Sequence, residues 1–296
     1  MPPTTTQIAP KSRYNMSSKG NVAFITGGAS GMGLATVERL ISDGWKVAVF
    51  DFNAVTGAQV AERLGPNLLF LQGNVANYDD QAKAFLQTWS KWGRIDFVWA
   101  NAGTGDRTQF FADAKETDNG APPAPDLLAI DVCLIGVFYT SYLALHYFKK
   151  NPHRKGKLIM TSSSTGIHAQ YMFPAYSASK HGMRVLGEKI TVNCICPGLV
   201  PTAIISASYV ATANQDAITP PSLIVDCVYK ILGDDSLNGA CLEVVGKEII
   251  ERPEPAPANW AAEYLLGDEF AAVTRKAGEI DKIYQGAEDK NEMSVR

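Results

Sequence analysis

The chain has 296 residues, of which 46% are hydrophobic and 19% are charged. This balance is typical of a globular protein, and the length accommodates one large α/β domain with additional segments. The formal net charge of −3 gives no general attraction to nucleic acid, so nucleic-acid binding is not expected. Because the sequence has no run of about 18 apolar residues, we also expect no membrane-spanning segment.

The five cysteines and four histidines show no pattern typical of a metal site. No C-x-x-C pair occurs, and the histidines are scattered along the chain. Cys194 and Cys196 lie two residues apart in an apolar run, so they would share one face of a strand. We therefore expect reduced, buried thiols, no metal ion and a cytoplasmic protein. Residues 1–20 have a single arginine and no acidic side chain, which favours a disordered tail over an organellar presequence.

The first predicted element is an apolar strand at 22–25, and it runs into a turn with four glycines: Gly27, Gly28, Gly31 and Gly33. A helical pattern follows. Small residues let the backbone approach a phosphate, and the free N–H groups at a helix start bind anions. The turn therefore predicts a pyrophosphate site, although a tight turn with nothing bound has the same pattern. It lacks the G-K-[ST] ending of a triphosphate-binding loop, which disfavours phosphoryl transfer.

The second predicted strand, 46–50, ends at Asp51. Dinucleotide-binding folds place an acidic residue about 20 positions after the glycine turn, where it binds the adenosine ribose. A carboxylate there would repel a 2′-phosphate, so the sequence favours NAD over NADP. The alternative is an ordinary aspartate that caps a turn.

Strands and helices then alternate along the chain. Further strands are predicted at 67–71, 95–100, 157–160, 190–196 and 240–245, and further helices at 78–92, 126–150 and 220–232. This alternation predicts a single doubly wound, Rossmann-like α/β domain at 21–246 with a seven-stranded, mostly parallel sheet. Residues 247–296 would form a C-terminal appendage. Ligands bind beyond the carboxyl ends of such strands, where Asp51, Asn74 and Asn101 fall.

Tyr176 and Lys180 are four residues apart, so they would share one face of a helix. A neighbouring ammonium favours the phenolate form of a tyrosine, which can exchange a proton with an alcohol or carbonyl oxygen. Ser163 follows a predicted strand and could hydrogen-bond the same oxygen. By itself, the Y-x-x-x-K spacing is equally typical of an exposed pair on a helix.

In combination, these motifs resemble those of the short-chain dehydrogenase/reductase family over about residues 20–246. The motifs that carry the resemblance are T-G-x-x-x-G-x-G at 26–33, N-A-G at 101–103, Ser163, Tyr176, Lys180 and P-G at 197–198. The resemblance implies an NAD-dependent oxidoreductase with Tyr176 as acid/base, Lys180 as its partner and ribose anchor, and Ser163 as oxyanion partner.

The resemblance also implies a set of cofactor contacts that spans most of the carboxyl edge of the sheet. These residues are Gly27, Ser30, Gly31, Met32, Gly33, Asp51, Phe52, Asn74, Val75, Asn101, Ala102, Gly103, Tyr176, Lys180, Pro197, Gly198, Val200 and Thr202. Within this set, Gly27, Gly31 and Gly33 would hold the pyrophosphate, Asp51 the ribose, and Asn74 and Val75 the adenine. Val200 and Thr202 would contact the carboxamide.

Three departures from the family pattern bear on activity. Cys133 occupies the position of the family's fourth catalytic residue, an asparagine that holds a water beside the lysine, and a thiol is a poor substitute. The helix after Lys180 is shortened, which reduces the surface that the family uses for dimer packing. Some members carry a glutamine three residues before the tyrosine, where this chain has Phe173.

The expected function is interconversion of an apolar secondary alcohol and its ketone with NAD. The loop 199–219, with Ile204 and Tyr209, favours the apolar substrate. A homodimer is the assembly that the resemblance implies. Two alternatives stay open: a dinucleotide-binding homologue with weak or no redox activity, which Cys133 and the short helix favour, and non-redox chemistry in the same pocket.

Overall fold

The computed structural model describes residues 20–168, 170, 172–183 and 190–267. The tail predicted at 1–20 lies outside these residues except for Gly20. Eight strands occur in the described ranges: β1 Val22–Thr26, β2 Lys46–Asp51, β3 Leu68–Gln72, β4 Phe97–Ala100, β5 Lys157–Thr161, β6 Thr191–Pro197, β7 Cys241–Val245 and β8 Glu248–Arg252.

These strands form one sheet in the order β3-β2-β1-β4-β5-β6-β7-β8. All neighbours are parallel except β7 and β8. The predicted doubly wound, mostly parallel sheet is therefore confirmed, but the predicted number of seven strands is wrong. The eighth strand, β8, lies beyond residue 246, where the sequence analysis placed the start of an appendage.

Helices cover both faces of the sheet. Those of the described residues are α1 Gly31–Ser42, α2 Ala54–Leu64, α3 Tyr78–Trp92, α4 Leu128–Ile130, α5 Gly136–Lys150, α6 Pro174–His181, α7 Ala207–Thr212, α8 Pro221–Gly233 and α9 Trp260–Leu266. The helix after β5, which the sequence analysis expects to be short, ends at His181, and residues 184–189 lie outside the described residues.

Successive side chains of the central strand β1 pack into different hydrophobic cores, because strand side chains alternate between the two faces of the sheet. Ile25 belongs to the core under α1 and α8, whereas Phe24 belongs to the core under α3 and α5. The Phe24 ring stacks on Phe85 of α3 with centroids 4.0 Å apart. Each such buried side chain stabilises the fold by roughly 1.5–3 kcal/mol, so both layers of helices are held to the sheet.

The helix that packs in the core under α3 and α5 is long and apolar. Residues Leu128–Lys150 form one continuous helix through α4, a π-helical turn (Asp131–Ile135) and α5. The mean hydropathy of 1.9 within this helix is high enough for a helix that crosses a bilayer. Ala144 and Phe148 on its inner face are fully buried in the core beside the sheet. One face of this helix therefore packs against the sheet, whereas Phe138 and Tyr142 on the helix are exposed.

The chain divides into two units, Met1–Arg252 and Pro253–Arg296. The first unit contains the whole sheet. In the second, the described residues include α9, which begins at an Asn259 side chain that accepts a hydrogen bond from the Ala262 N–H. On this helix the Trp260 ring stacks on the Tyr264 ring, with their centroids 5.7 Å apart.

Candidate active site

The glycine-rich turn between β1 and α1 is closed so tightly that side chains would not fit. Gly27 and Gly31 have φ of +66° and +54°, a region that L-residues with side chains rarely adopt. A Cβ on Gly27 would lie 2.8 Å from the Ala102 Cα, and a Cβ on Gly33 would lie 2.2 Å from the Gly27 carbonyl oxygen. The turn therefore presents bare backbone at the start of α1, as anion binding requires.

The carboxylate of Asp51 is joined to this turn. Its Oδ2 accepts a hydrogen bond from the Ala29 N–H at 3.0 Å, and its Oδ1 accepts one from the Asn53 N–H at 3.0 Å. Asp51 is half-buried at the end of β2. It thus fixes the glycine turn from the next strand, and each oxygen keeps a lone pair for a ligand hydroxyl.

Asn101 also braces the turn from the end of β4. Its Nδ2 donates to the carbonyl oxygens of Thr26, at 3.2 Å, and Gly27, at 3.1 Å. The Thr26 hydroxyl oxygen accepts hydrogen bonds from the backbone N–H groups of Asn101 and Ala102, both at 3.0 Å. In this structure the N-A-G motif therefore aligns the carboxyl ends of β1 and β4.

A cavity of about 400 Å³ opens beside the turn at the carboxyl edge of the sheet. Twelve of the predicted cofactor residues line it: Gly27, Ser30, Gly31, Met32, Asp51, Phe52, Asn74, Val75, Asn101, Ala102, Gly103 and Thr202. The other six lie outside its lining: Gly33, Tyr176, Lys180, Pro197, Gly198 and Val200. Of these, Val200 is buried in the core under α1 and α8.

The cavity includes residues that sequence reasoning missed. They are Phe50, Gly73, Thr104, Arg107, Leu128, Val132 and Ala203. Ile204, which the sequence analysis placed in the loop that favours an apolar substrate, also lines the cavity. Thr104 and Arg107 belong to the segment 104–125, whose polar composition and three prolines predict only a surface loop. The charged pair Asp106 and Arg107, soon after N-A-G in the chain, was the available signal.

The three predicted catalytic residues come from β5 and the helix that follows it. Ser163 lies two residues after β5 and is buried. Tyr176 lies in the first turn of α6, and Lys180 lies one turn later with an exposed fraction of 2%. The Lys180 ammonium donates to the Thr161 carbonyl oxygen at 2.7 Å and lies 5.3 Å from the centre of the Tyr176 ring.

Cys133 is fully buried in the π-helical turn. A Cβ placed on Gly103 would lie 3.5 Å from the Cys133 sulfur and 3.9 Å from the Lys180 Nζ. The thiol and the ammonium therefore flank the same glycine of the N-A-G motif. The residue that departs from the family pattern thus lies next to the predicted proton-handling lysine.

The fold gathers three cysteines that are far apart in sequence. Pairing of β6 with β7 places the sulfur atoms of Cys194, Cys196 and Cys241 within 4.8 Å of one another. Hydrogen bonds with the other two thiols, together with burial, raise the pKa of Cys194 far above its ordinary value. A hydrogen bond with Cys194 lowers the pKa of Cys196, but a hydrogen bond with Cys241 and burial outweigh it and raise this pKa to about 12.

This thiol cluster bears on the expectation of no metal site, since thiolates are ligands for soft metal ions. Binding a metal there would require the release of protons that the raised pKa values hold in place. The absence of a bound metal stays a prediction.

Comparison with known proteins agrees with this geometry. The family model described as short chain dehydrogenase matches residues 21–211. The chain is 40% identical to the short-chain dehydrogenase/reductase prx7 of Penicillium rubens, over 65% of this chain and 72% of the relative. It is 29% identical to the 15-hydroxyprostaglandin dehydrogenase [NAD(+)] of Rattus norvegicus, over 79% of this chain and 94% of the relative.

The fold has a solved counterpart in a 3-ketoacyl-(acyl-carrier-protein) reductase from Brucella melitensis that was crystallised with NADH. The two structures superpose with a TM-score of 0.65 at 21% identity, over 77% of this chain and 98% of the reductase. The family match extends from β1 through the glycine turn, the N-A-G motif, Tyr176 and Lys180 into α7. The chain belongs to the short-chain dehydrogenase/reductase family.

Proposed function

We propose that this protein interconverts an apolar secondary alcohol and its ketone with NAD, and that Tyr176 is the acid/base. The observation that carries the proposal is the placement of the buried Lys180 ammonium, 5.3 Å from the Tyr176 ring centre. This contact places a positive charge over the ring of the tyrosine that would exchange the proton. The pair lies on the helix that follows β5, at the edge of the sheet where the cavity opens.

The residues of the cavity fit a dinucleotide. The cradle formed by Gly27 and Gly31 would be filled by side chains, since a Cβ on Gly31 would lie 3.1 Å from the Thr202 Cγ2. Backbone N–H groups at the start of α1 suit the pyrophosphate, and the Asp51 carboxylate suits ribose hydroxyls while repelling a 2′-phosphate. The name of the 15-hydroxyprostaglandin dehydrogenase relatives gives NAD(+) as their cofactor, which supports NAD here.

When bound, NAD supplies the acceptor or donor of hydride. In the direction of oxidation, the side-chain oxygen of Tyr176 takes the proton of the substrate hydroxyl. The Lys180 ammonium places a positive charge 5.3 Å from the Tyr176 ring centre, and its own position is fixed by the Thr161 carbonyl oxygen at 2.7 Å. The Ser163 hydroxyl is the proposed hydrogen-bond donor to the substrate oxygen. In the direction of reduction, Tyr176 returns the proton to that oxygen.

The surroundings of Tyr176 favour an apolar substrate. Phe173 directly precedes α6, and Met172 lies next to it; both are large apolar side chains that are more than two-fifths exposed. Ile204 lines the cavity and is 53% exposed. A prostaglandin is not proposed as the substrate, because Phe173 stands where related enzymes use a polar glutamine.

A turnover assay against a panel of apolar secondary alcohols with NAD, and of the ketones with NADH, tests the proposal by the absorbance of the reduced cofactor. We expect turnover in the parent and at least a 100-fold loss in Tyr176→Phe, with NAD affinity kept because only the hydroxyl is removed. Equal turnover in Tyr176→Phe would redirect the search to non-redox chemistry. NAD binding without turnover across the panel would favour an inactive dinucleotide-binding homologue, the alternative that Cys133 supports.

The cytoplasmic localisation and the homodimer expected from the sequence remain part of this proposal. Sedimentation of the purified protein would test the assembly directly.

A further inference from the structure

We propose that Asp106 is a positioning residue for the reaction, because it holds the first turn of α6 and so sets the place of Tyr176. This inference rests on the proposed function of Tyr176 and deepens it. Asp106 lies in the segment after the N-A-G motif, 70 residues before the tyrosine. No local pattern in the sequence links the two residues.

The helix that carries Tyr176 has no cap of its own. The residue at its N-cap position, Phe173, makes no side-chain hydrogen bond, and Pro174 at the first helical position has no N–H. The first free donors of the helix are therefore the N–H groups of Ala175 and Tyr176. Asp106 takes both: its Oδ2 accepts from Ala175 at 3.0 Å and its Oδ1 accepts from Tyr176 at 2.7 Å.

The chemistry of this contact makes it strong. A carboxylate is the acceptor best suited to the positive end of a helix, and hydrogen bonds to an ionised acceptor are shorter and stronger than neutral ones. Both carboxylate oxygens are used, one for each N–H group. The two contacts therefore fix the direction of the helix start as well as its position.

The two ends of α6 are held by different parts of the molecule. At the Lys180 end, the ammonium donates to the Thr161 carbonyl oxygen at 2.7 Å, and the Ser162 hydroxyl donates to the Lys180 carbonyl oxygen at 2.6 Å. These contacts tie Lys180 to β5 and its carboxyl end. Asp106 acts at the other end, so its loss would leave Lys180 in place and release the turn that carries Tyr176.

The segment around Asp106 is itself anchored at the cofactor cavity. On one side, Thr104 lines the cavity and is hydrogen-bonded through its backbone to the Cys133 sulfur. On the other side, Arg107 lines the cavity and its Nη1 lies 3.6 Å from an Asp126 carboxylate oxygen. Asp106 thus connects the wall of the cavity to the start of α6. The place of Tyr176 relative to a bound cofactor depends on this connection.

The test compares Asp106→Ala and Asp106→Asn with Asp113→Ala, a matched control because Asp113 is an exposed aspartate of the same segment. We expect Asp106→Ala to lower kcat about 10- to 100-fold, since small displacements of a catalytic group cost up to about 100-fold. Asp106→Asn keeps one acceptor oxygen, so it should recover part of the loss. The Kd for NAD should change less than twofold in both variants, and Asp113→Ala should match the parent.

Two further measurements separate positioning from stability and from failure of the proposed function. A substrate deuterated at the carbinol carbon should show a larger isotope effect on kcat in Asp106→Ala, because a misplaced tyrosine slows the chemical step. Hydrogen exchange, which needs no substrate, should show faster exchange of the 175–181 backbone amides in Asp106→Ala and unchanged exchange at 157–161. Unchanged exchange and unchanged kcat in a folded Asp106→Ala protein would overturn the inference.

The outcome in which the parent itself lacks turnover is also decisive. Together with faster exchange of 175–181 in Asp106→Ala, it would overturn the proposed function and the positioning role of Asp106, and would leave Asp106 only as the cap of α6. Turnover in the parent with equal kcat in Asp106→Ala would instead keep the proposed function and overturn the positioning role alone.

Discussion

Cys133 and Thr104 exchange two hydrogen bonds beside the N-A-G motif. The thiol donates to the Thr104 carbonyl oxygen at 3.3 Å and accepts from the Thr104 N–H at 3.3 Å. Both hydrogen-bonding capacities of the thiol are therefore directed at backbone. In the family pattern this position carries an asparagine that holds a water next to the lysine, so we predict that the thiol leaves that proton relay incomplete.

We predict that Cys133→Asn raises turnover while leaving the affinity for NAD nearly unchanged. Assistance to proton transfer contributes about 100- to 10,000-fold, and even partial restoration of the relay should give an increase of about tenfold. Steady-state kinetics on the best alcohol of the panel measures the gain, and titration with NAD measures the affinity.

Cys133→Ser is the control for this prediction, because serine keeps the small size and a hydrogen-bonding group without the reach of asparagine. Cys133 is fully buried, so an asparagine there also carries a cost in stability, and the melting temperature must be followed in parallel. A well-folded Cys133→Asn protein that turns over no faster than the parent would refute the incomplete relay and point to the shortened helix instead.

Lys180→Met is predicted to damage both turnover and cofactor binding. Methionine fills much of the same buried volume, but it removes the ammonium 5.3 Å from the Tyr176 ring centre and leaves the Thr161 carbonyl oxygen without this donor. We expect a loss of kcat of at least 100-fold and weaker binding of NAD, because Lys180 is also the expected ribose anchor. Lys180→Arg keeps the charge and should retain NAD binding better; equal NAD affinity in all three proteins would exclude the anchoring role.

The pattern of buried strands made most of this fold predictable. Each inner strand of a parallel sheet is covered on both faces, so its sequence is a short run of apolar residues. The runs at 46–50 and 157–160 are accordingly found as β2 and β5, each one residue longer at its carboxyl end. Helix 78–92 was found with the predicted limits, because an asparagine cap and a following glycine mark its ends.

The edge strand β8 was missed because an edge needs little apolar surface. Of its five residues, EIIER, only Ile249 is buried. The sequence of this segment therefore resembles that of a charged loop. The usable signal was the turn before it, where Gly246 has a φ of +54° and begins a hairpin.

The candidate site was predictable to the extent that its parts are local motifs. The glycine turn, the N-A-G motif and the Tyr176–Lys180 pair are each read from a few neighbouring residues. Asp106 and the cluster of Cys194, Cys196 and Cys241 depend on residues brought together by strand order and loop path. No spacing rule along one chain could reveal them.

Asp51→Ala is predicted to weaken NAD binding and to narrow the preference for NAD over NADP. The carboxylate lines the cavity, and its removal takes away both the ribose contact and the repulsion of a 2′-phosphate. The same change removes the acceptor of the Ala29 N–H in the glycine turn. One lost hydrogen bond to a charged group is worth roughly 1.5–3 kcal/mol, so we expect NAD affinity to fall by about tenfold or more.

Asp51→Asn keeps an acceptor for the turn and removes only the charge, so it separates the effect of the charge from that of the hydrogen bond. Tighter binding of NADP than of NAD by the parent protein would rule out this account of Asp51.

The buried thiols predict a loss of stability at alkaline pH. Hydrogen bonding with Cys241 and burial raise the pKa of Cys196 to about 12, and burial raises the pKa of Cys227. Above pH 9 the unfolded chain therefore loses thiol protons that the folded chain keeps. The free energy of unfolding should be flat near pH 7 and should fall above pH 9 by up to about 1.4 kcal/mol per pH unit for each such thiol. Urea unfolding at pH 7.5, 9 and 10 measures this slope.

Cys227→Ala, which removes one such thiol, should be less stable throughout because of the cavity it leaves, yet its stability should depend less steeply on pH. A slope equal to that of the parent would show that the Cys227 thiol ionises as readily in the folded chain as in the unfolded one.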